Sequence, residues 1–305
     1  MVDPLDDVLR LLGTTSHVSA SMTAGGSWAV GFDAPDGIKF NAVRRGRCYL
    51  RLDGSVEAIP LAAGDCYLLT HSRPYTLFSD PEAAAMPAGP IFLAATDGVA
   101  RAGVGDEFAA IGGAFRFGER ARELLLDGLP TVIHVPAATA EAAALQWAID
   151  QIDVELRQRR VGATLVAEHL AVVMLIQILR HRLASEPAPT TGLLAGLGDP
   201  VVAVALREMH RQPAHGWQVA ELARAASVSR STLAARFKDL VGRGPLEYLT
   251  GWRVELAANR LRSGDETLAS IAQHVGYGSE SALSVAFKRV TGHTPRAYRH
   301  LARTR

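Results

Sequence analysis

Cysteine is scarce in this 305-residue chain: Cys48 and Cys66 are the two it holds. They offer neither a disulfide framework nor a zinc-binding spacing, and buried thiols within strands are their expected place. Long apolar runs are also missing, and none approaches the ~20 residues that a membrane span requires. The opening stretch, MVDPLDDVLRLLG, is acidic and amphipathic, the opposite of a secretory signal with its basic n-region. Histidine is thinly spread: His17, His71 and His134 are those of the first 136 residues, with no His-x-His or His-x-x-x-His pair. That leaves little for a metal to bind. The glycines of GVGDEF near residue 103 and those around Gly112 lack the strand, Gly-x-Gly-x-x-Gly and helix context of a phosphate loop. No catalytic residue, metal ligand or cofactor is therefore assigned, and a reducing, cytoplasmic setting without a membrane partner is expected.

What is present begins with length. The chain is about twice the ~150 residues expected of one domain, and nearly half of it is apolar. The formal net charge of +1 hides an asymmetry. Residues 201–305 hold 16 Lys+Arg against 8 Asp+Glu, whereas residues 1–200 hold 16 against 23. A basic half suits a polyanion, and an acidic half has some other task.

Three regions differ in pattern. Residues 14 to about 136 carry short alternating runs broken by Gly, Pro and Asp. Within RCYLRLDGSVEAIPLAAGDCYLLT, strands are expected at Cys48–Leu52 and Cys66–Thr70, around Asp53-Gly54 and Gly64-Asp65 turns. Many short strands suggest a small barrel or sandwich. An alanine-rich helical region follows to Ala184, and its second half, ATLVAEHLAVVMLIQILRHRL, is apolar on nearly every side. Such a helix is buried against a partner subunit or its own barrel. ASEPAPTTGLLAGLGDP, residues 184–200, reads as a linker.

The basic half contains an internal repeat. ELARAASVSRSTLAARFKDLVGRGP and SIAQHVGYGSESALSVAFKRVTGHTP align at an offset of 50, matching Ser229 with Ser279, Phe237 with Phe287 and Gly242 with Gly292. Upstream of the turn the offset is 49, so the second copy has one extra turn residue. Each copy reads as helix, tight turn, helix, with Ser229 or Ser279 as N-cap. Leu233, Phe237 and Leu240 make one buried stripe, and Leu283, Phe287 and Val290 make the other. This spacing predicts two helix-turn-helix motifs, at 219–240 and 268–290, whose second helices enter the major groove of DNA. The predicted DNA-contacting residues are Ser229, Arg230, Ser231, Thr232, Ala234, Ala235 and Lys238 in the first copy. In the second they are Ser279, Glu280, Ser281, Ser284, Val285, Lys288 and Arg289, with Arg296 and Arg299 beyond. Short side chains let the backbone approach the bases, and the cations meet phosphates. Between the copies, Leu246, Leu249, Trp252 and Leu256 predict a buried helix that spaces the two heads about one DNA turn apart, ~34 Å.

These residues carry a family resemblance. Ile271-Ala272, Val275-Gly276-Tyr277, Ser279, Phe287-Lys288, Gly292, Thr294-Pro295 and Tyr298-Arg299 resemble the signature of the AraC/XylS transcription regulators. The resemblance implies seven helices, two helix-turn-helix units and successive major grooves. Where the family often has an arginine on the recognition helix, this chain has Ala235 and Val285, which implies a larger share for phosphate and thymine-methyl contacts. Residues 40–80 resemble the cupin-like sensor domain of the same family, IGGAFRF and LLLDGLPTVIHV resemble segments that follow that barrel, and residues 139–184 stand where the family has helices that often dimerise.

The expected fold class is α+β: a cupin-like β-barrel sensor over 1–137, a helical dimerisation segment over 138–184, a linker over 185–200, and an all-α DNA-binding domain over 201–305. Trp28, Asn41, Tyr49 and Tyr75 are candidates to line a lumen that holds a small organic effector. Expected partners are promoter duplex DNA, a second copy of the chain and, for an activator, RNA polymerase. Two rival readings are a metal-dependent cupin enzyme with a helical tail, and a regulator without a ligand that answers to a protein partner through 138–184. Asn41 and Tyr75 stand where a metal cupin would have ligands, which disfavours the first.

Overall fold

The computed structural model describes residues 3–11, 15–116, 128–139, 141–158, 160–184 and 191–303. The chain divides into two compact units, Thr14–Phe117 with Leu129–Glu186, and Met1–Gly13 with Gly118–Gly128 and Pro187–Arg305.

The first unit is a pair of sheets. One has the strand order β11-β6-β3-β10-β1-β9 and the other β5-β4-β7-β2-β8. The strands β1 (Thr15–Gly25), β3 (Ile38–Arg45), β6 (Cys66–Leu69), β10 (Phe108–Arg116) and β11 (Val132–Val135) form the antiparallel body of the larger sheet, with β9 (Val99–Gly103) parallel to β1. The smaller sheet holds β2 (Ala29–Phe32), β4 (Arg47–Leu52), β5 (Ile59–Ala62), β7 (Tyr75–Phe78) and β8 (Ala85–Pro87). Alternation decides what faces inward. Met22, Ala24, Val43, Tyr67, Leu69 and Ala110 from one sheet meet Val30, Cys48, Leu50, Tyr75 and Leu77 from the other in one apolar cluster, joined by Trp28 just ahead of β2. The Asp53-Gly54 and Gly64-Asp65 turns occur as expected, with Gly54 and Gly64 both at positive φ. Asp65 fixes its turn by accepting from the Ala62 and Ala137 N–H groups, with His134 Nε2 at 3.0 Å.

The sheet also takes in chain that the sequence assigned beyond it. IGGAFRF lies in β10, apart from Phe117 outside the described residues, and IHV of LLLDGLPTVIHV lies in β11. β10 lies inside its sheet between β1 and β3, and β11 lies at the sheet's edge beside β6. A short helix α2 (Ala88–Leu93) follows β8. Then α3 (Ala142–Gln158) and α4 (Ala163–Ala184) form an antiparallel hairpin in which α4 also contacts β1 and β11. Arg44 of β3 pairs with Asp150 and Asp153 of α3. By length and composition α4 is long and apolar enough to cross a membrane, although polar residues such as Glu168, His169 and Gln177 interrupt its apolar run. Its inner row, Ala167, Ala171, Met174, Leu175, Ile178 and Leu179, is buried in this unit.

The second unit is helical. Seven helices follow the expected order: α6 (Pro200–Arg211), α7 (Val219–Ala225), α8 (Arg230–Val241), α9 (Pro245–Ser263), α10 (Leu268–His274), α11 (Glu280–Thr291) and α12 (Pro295–Arg303). Two boundaries differ from the expectation. Residues 185–190 of the linker lie outside the described residues, but its later part is helix α5 (Leu193–Gly198). Leu193 and Leu194 are buried and Gly196 faces Val202, Leu206 and Val241, so this stretch belongs to the core of the helical unit. Likewise α1 (Pro4–Leu11), assigned to the sensor by position, belongs to the helical unit, where it touches α6 and α9. The cause is its apolar stripe: Leu5, Val8 and Leu9 lie on one helix face and are all buried. Asp7 adds a polar contact to His210, which is buried between Tyr248, at 2.8 Å, and the Trp252 ring, at 4.1 Å. The middle helix α9 is buried on a wider arc than one stripe, through Tyr248, Leu249, Trp252, Val254, Ala257 and Ala258, while Leu246 is exposed.

Candidate nucleic-acid interface

The second helix of each motif is set by a turn, a cap and a buried stripe. In the first copy, α7 stops where Ser227 adopts φ 57°. Ser229 Oγ then accepts from the Thr232 N–H at 3.1 Å, starting α8. Leu233, Phe237 and Val241 fasten α8 to the core, and Gly242 ends it in the left-handed conformation. The second copy repeats the plan. Gly276 turns with φ 83°, Ser279 Oγ accepts from the Ala282 N–H at 3.1 Å, and Gly292 ends α11. Leu283, Ala286 and Phe287 are its buried residues. An open helix N-terminus with free N–H groups and partial positive charge suits phosphate oxygens.

The outward residues fall largely where the sequence put them. On α8, Arg230, Ser231, Thr232, Ala235 and Lys238 are exposed and Ala234 is half-buried. The Ser229 hydroxyl also lies 3.0 Å from Ser231 Oγ and 2.8 Å from Thr232 Oγ1, a local cluster at the helix start. On α11, Glu280, Ser281, Val285, Lys288 and Arg289 are exposed and Ser284 is half-buried. Val285, 70% exposed, is an apolar side chain on the outward face, a contact suited to a thymine methyl. Arg296 is exposed on α12. Arg299 does not join this face. Its guanidinium donates to the Glu266 carbonyl at 2.5 Å, so it ties α12 to the segment before α10. Sequence position alone could not separate this tie from a phosphate contact, because both use an arginine near the helix end.

The structure adds residues that the sequence reading missed. Arg253 of α9 donates to the Pro213 and His215 carbonyls, at 2.6 and 2.7 Å, and lies over the Tyr277 ring at 5.7 Å. A Cβ at Gly276 would come within 2.6 Å of the Ala214 backbone. The loop that leads into the first motif is thus clasped by the turn of the second, which packs the two heads against one another. Tyr298 completes the second head, its ring 5.3 Å from Phe287 and its hydroxyl accepting from Arg262 at 2.6 Å.

The proposed effector residues of the two-sheet unit part company. Asn41 and Tyr75 come together inside. Burial raises the Tyr75 phenol above its usual range, and the nearby Asn41 amide offsets part of that. Tyr75 stacks on Phe32 at 4.6 Å. Trp28 is buried against Phe108, ring centroids 4.9 Å apart. Tyr49 is misplaced by the sequence reading: it is 43% exposed on the other face of β4, over Phe78. Tyr67, beside Asn41 in the β3–β6 register, takes its place inside. The Tyr67 hydroxyl and Asn41 Nδ2 are both buried without a protein partner. Cys48 and Cys66 are free and buried, with pKa values pushed up to about 12 by burial and then by the Asp65 charge. Among the described residues no group of three or more His, Cys, Asp or Glu could hold a metal ion.

A two-sheet unit and a helical unit with two helix-turn-helix motifs, each with an exposed second helix, have the organisation of a DNA-binding regulator. Residues 3–184 match the cupin family, and residues 222–300 match the helix-turn-helix domain. A protein of Streptomyces lividans provisionally named an AraC-like transcription regulator is 62% identical over 298 residues, 98% of each chain. The transcriptional regulator MtrA of Neisseria gonorrhoeae is 26% identical over 98% of each. Among solved structures, the DNA-binding domain of the global transcriptional factor AdpA in complex with a target DNA is 33% identical, covering 35% of this chain and 95% of that one, with a TM-score of 0.33. The chain belongs to the AraC-like transcription regulators and carries a cupin-type domain ahead of its DNA-binding domain.

Proposed function

We propose that this regulator reads promoter DNA with α8 and α11 in successive major grooves, as a homodimer, under control of a small organic effector held between its two sheets. The observation that carries the DNA reading is the paired geometry: two capped helices, each fastened by a Leu–Phe stripe, with Lys238 and Lys288 at equivalent exposed positions. Ser231, Ser284 and Val285 meet base edges, and Arg230, Lys238, Lys288, Arg289 and Arg296 meet phosphates. The effector reading rests on Asn41, Tyr67 and Tyr75, polar groups gathered in an apolar interior, where an unpartnered donor costs about 1–3 kcal/mol until a ligand or water satisfies it. The dimer reading rests on the outer face of α3 and α4, where Trp147, Val154, Leu165, Val166 and Val173 are exposed. The chain performs no catalysis in this account, works in the cytoplasm, and contacts RNA polymerase where it activates.

Enrichment of a randomised duplex pool by the full chain at near-physiological salt tests the reading. A recovered site with two blocks about 10 base pairs apart is expected. Salt-sensitive binding without enrichment would refute sequence-specific reading by this chain.

A further inference from the structure

Helix α8 is gripped by an ion pair for which α11 has no counterpart among the described residues. Asp199 precedes α6, and its two oxygens have separate tasks. Oδ1 accepts from the Val201 and Val202 N–H groups, at 3.0 and 2.9 Å, capping α6. Oδ2 accepts from Arg236 Nε at 2.7 Å and Nη2 at 2.6 Å. The Asp199 side chain is largely buried and that of Arg236 about half exposed. Burial alone would raise the carboxyl pKa, but the Val202 N–H, the Arg236 guanidinium and the Val201 N–H together hold it below the usual range. Arg236 stands in α8 between Ala235, on the outward face, and Phe237, in the core. Its equivalent in α11 is Ala286, buried among apolar residues.

We propose that Asp199 is a positioning residue for DNA reading, fixing through Arg236 the rotation of α8 about its axis, and thereby which of its side chains face the bases. A planar guanidinium that converges two N–H groups on one carboxylate oxygen fixes its distance from that oxygen and limits how far it can turn. Arg236 is then withheld from the phosphates. Because the same carboxylate caps α6, the start of α6 and the first reading helix move together. At the equivalent place on α11, Leu283, Ala286 and Phe287 supply apolar packing instead.

Asp199→Asn and Arg236→Gln in the full chain test this on the selected duplex and on a randomised pool. Asn caps a helix as well as Asp does, so Asp199→Asn removes the charge and keeps the cap, and Arg236→Gln leaves the cap untouched. Each variant is expected to weaken the selected duplex about tenfold, the equivalent of one charge-assisted hydrogen bond, with the double variant no worse than either single one. The lost base preference should lie in the block read by α8, identified as the block that changes in Ser231→Ala, with the salt slope unchanged. Arg236→Lys, which keeps charge but not the fork, should recover part of the preference. Equal weakening on every sequence with both blocks intact would overturn the proposal, as would unchanged binding. A salt slope reduced by about one phosphate in Arg236→Gln would do so too, since Arg236 would then be a DNA contact.

Discussion

In the first helix-turn-helix unit the chain turns through Ser227, at φ 57°, and in the second through Gly276, at φ 83°. Ser227 bears the left-handed strain of a side chain at an open turn. Gly276 has no such latitude, because the Ala214 backbone lies where its Cβ would be. The reading helices differ in the same sense. α8 is held from one flank by the Asp199–Arg236 pair, whereas α11 rests on Ala286, Phe287 and Tyr298. One pattern of caps and stripes therefore tolerates two kinds of support. The polar support draws on Asp199, ahead of the first motif, and the apolar one on residues late in the chain.

The sharpest way to separate the two turns is Gly276→Ala. It combines a left-handed φ with a clash against backbone and is expected to cost about 3 kcal/mol, whereas Ser227→Gly should change stability by less than about 1 kcal/mol. Urea unfolding of the full chain reads both, and equal effects would end the distinction. On the DNA side, Val285→Ser and Ser281→Ala should each shift base preference in the block read by α11 by about 1–3 kcal/mol at one position. A shift in the other block would reverse the assignment of heads to blocks.

Removing the caps should show what the copies share. Ser229→Ala and Ser279→Ala are each expected to cost about 1 kcal/mol, and a large disparity in thermal midpoint would mean that one hydroxyl has another task. The smallest effects belong to the cations. Lys238→Ala and Lys288→Ala should weaken all sequences alike and lower the slope of log affinity against log salt by about 0.9 each. A change in sequence preference in either would show that the lysine reads a base.

Much of this was legible in the sequence, for physical reasons. The helical unit repeats itself, so Ser229 and Ser279, Phe237 and Phe287, and Gly242 and Gly292 vouch for one another, and both motifs lie at the expected residues. The strands around Cys48 and Cys66 were marked by their turn residues. The misses have a common origin in contacts between residues remote in sequence. Arg299 is spoken for by the Glu266 carbonyl, Tyr49 by the outer face of its sheet, and α1 by a groove some two hundred residues away. α5 was hidden because GLLAGLG carries the glycines of a linker, and its two buried leucines carried too little signal. Tyr67 escaped because β6 is buried on both faces, leaving no alternation to tell inside from outside.

The central claim is that two heads on one rigid helical unit read two major grooves on one side of the duplex. Interference by methylation of guanine N7, a major-groove atom, measured with the full chain on its selected site, tests it most directly. Two interfering blocks about 10 base pairs apart on one face of the duplex are predicted, the block nearer α8 weakening in Asp199→Asn. A single block, or none in the major groove, would contradict the account.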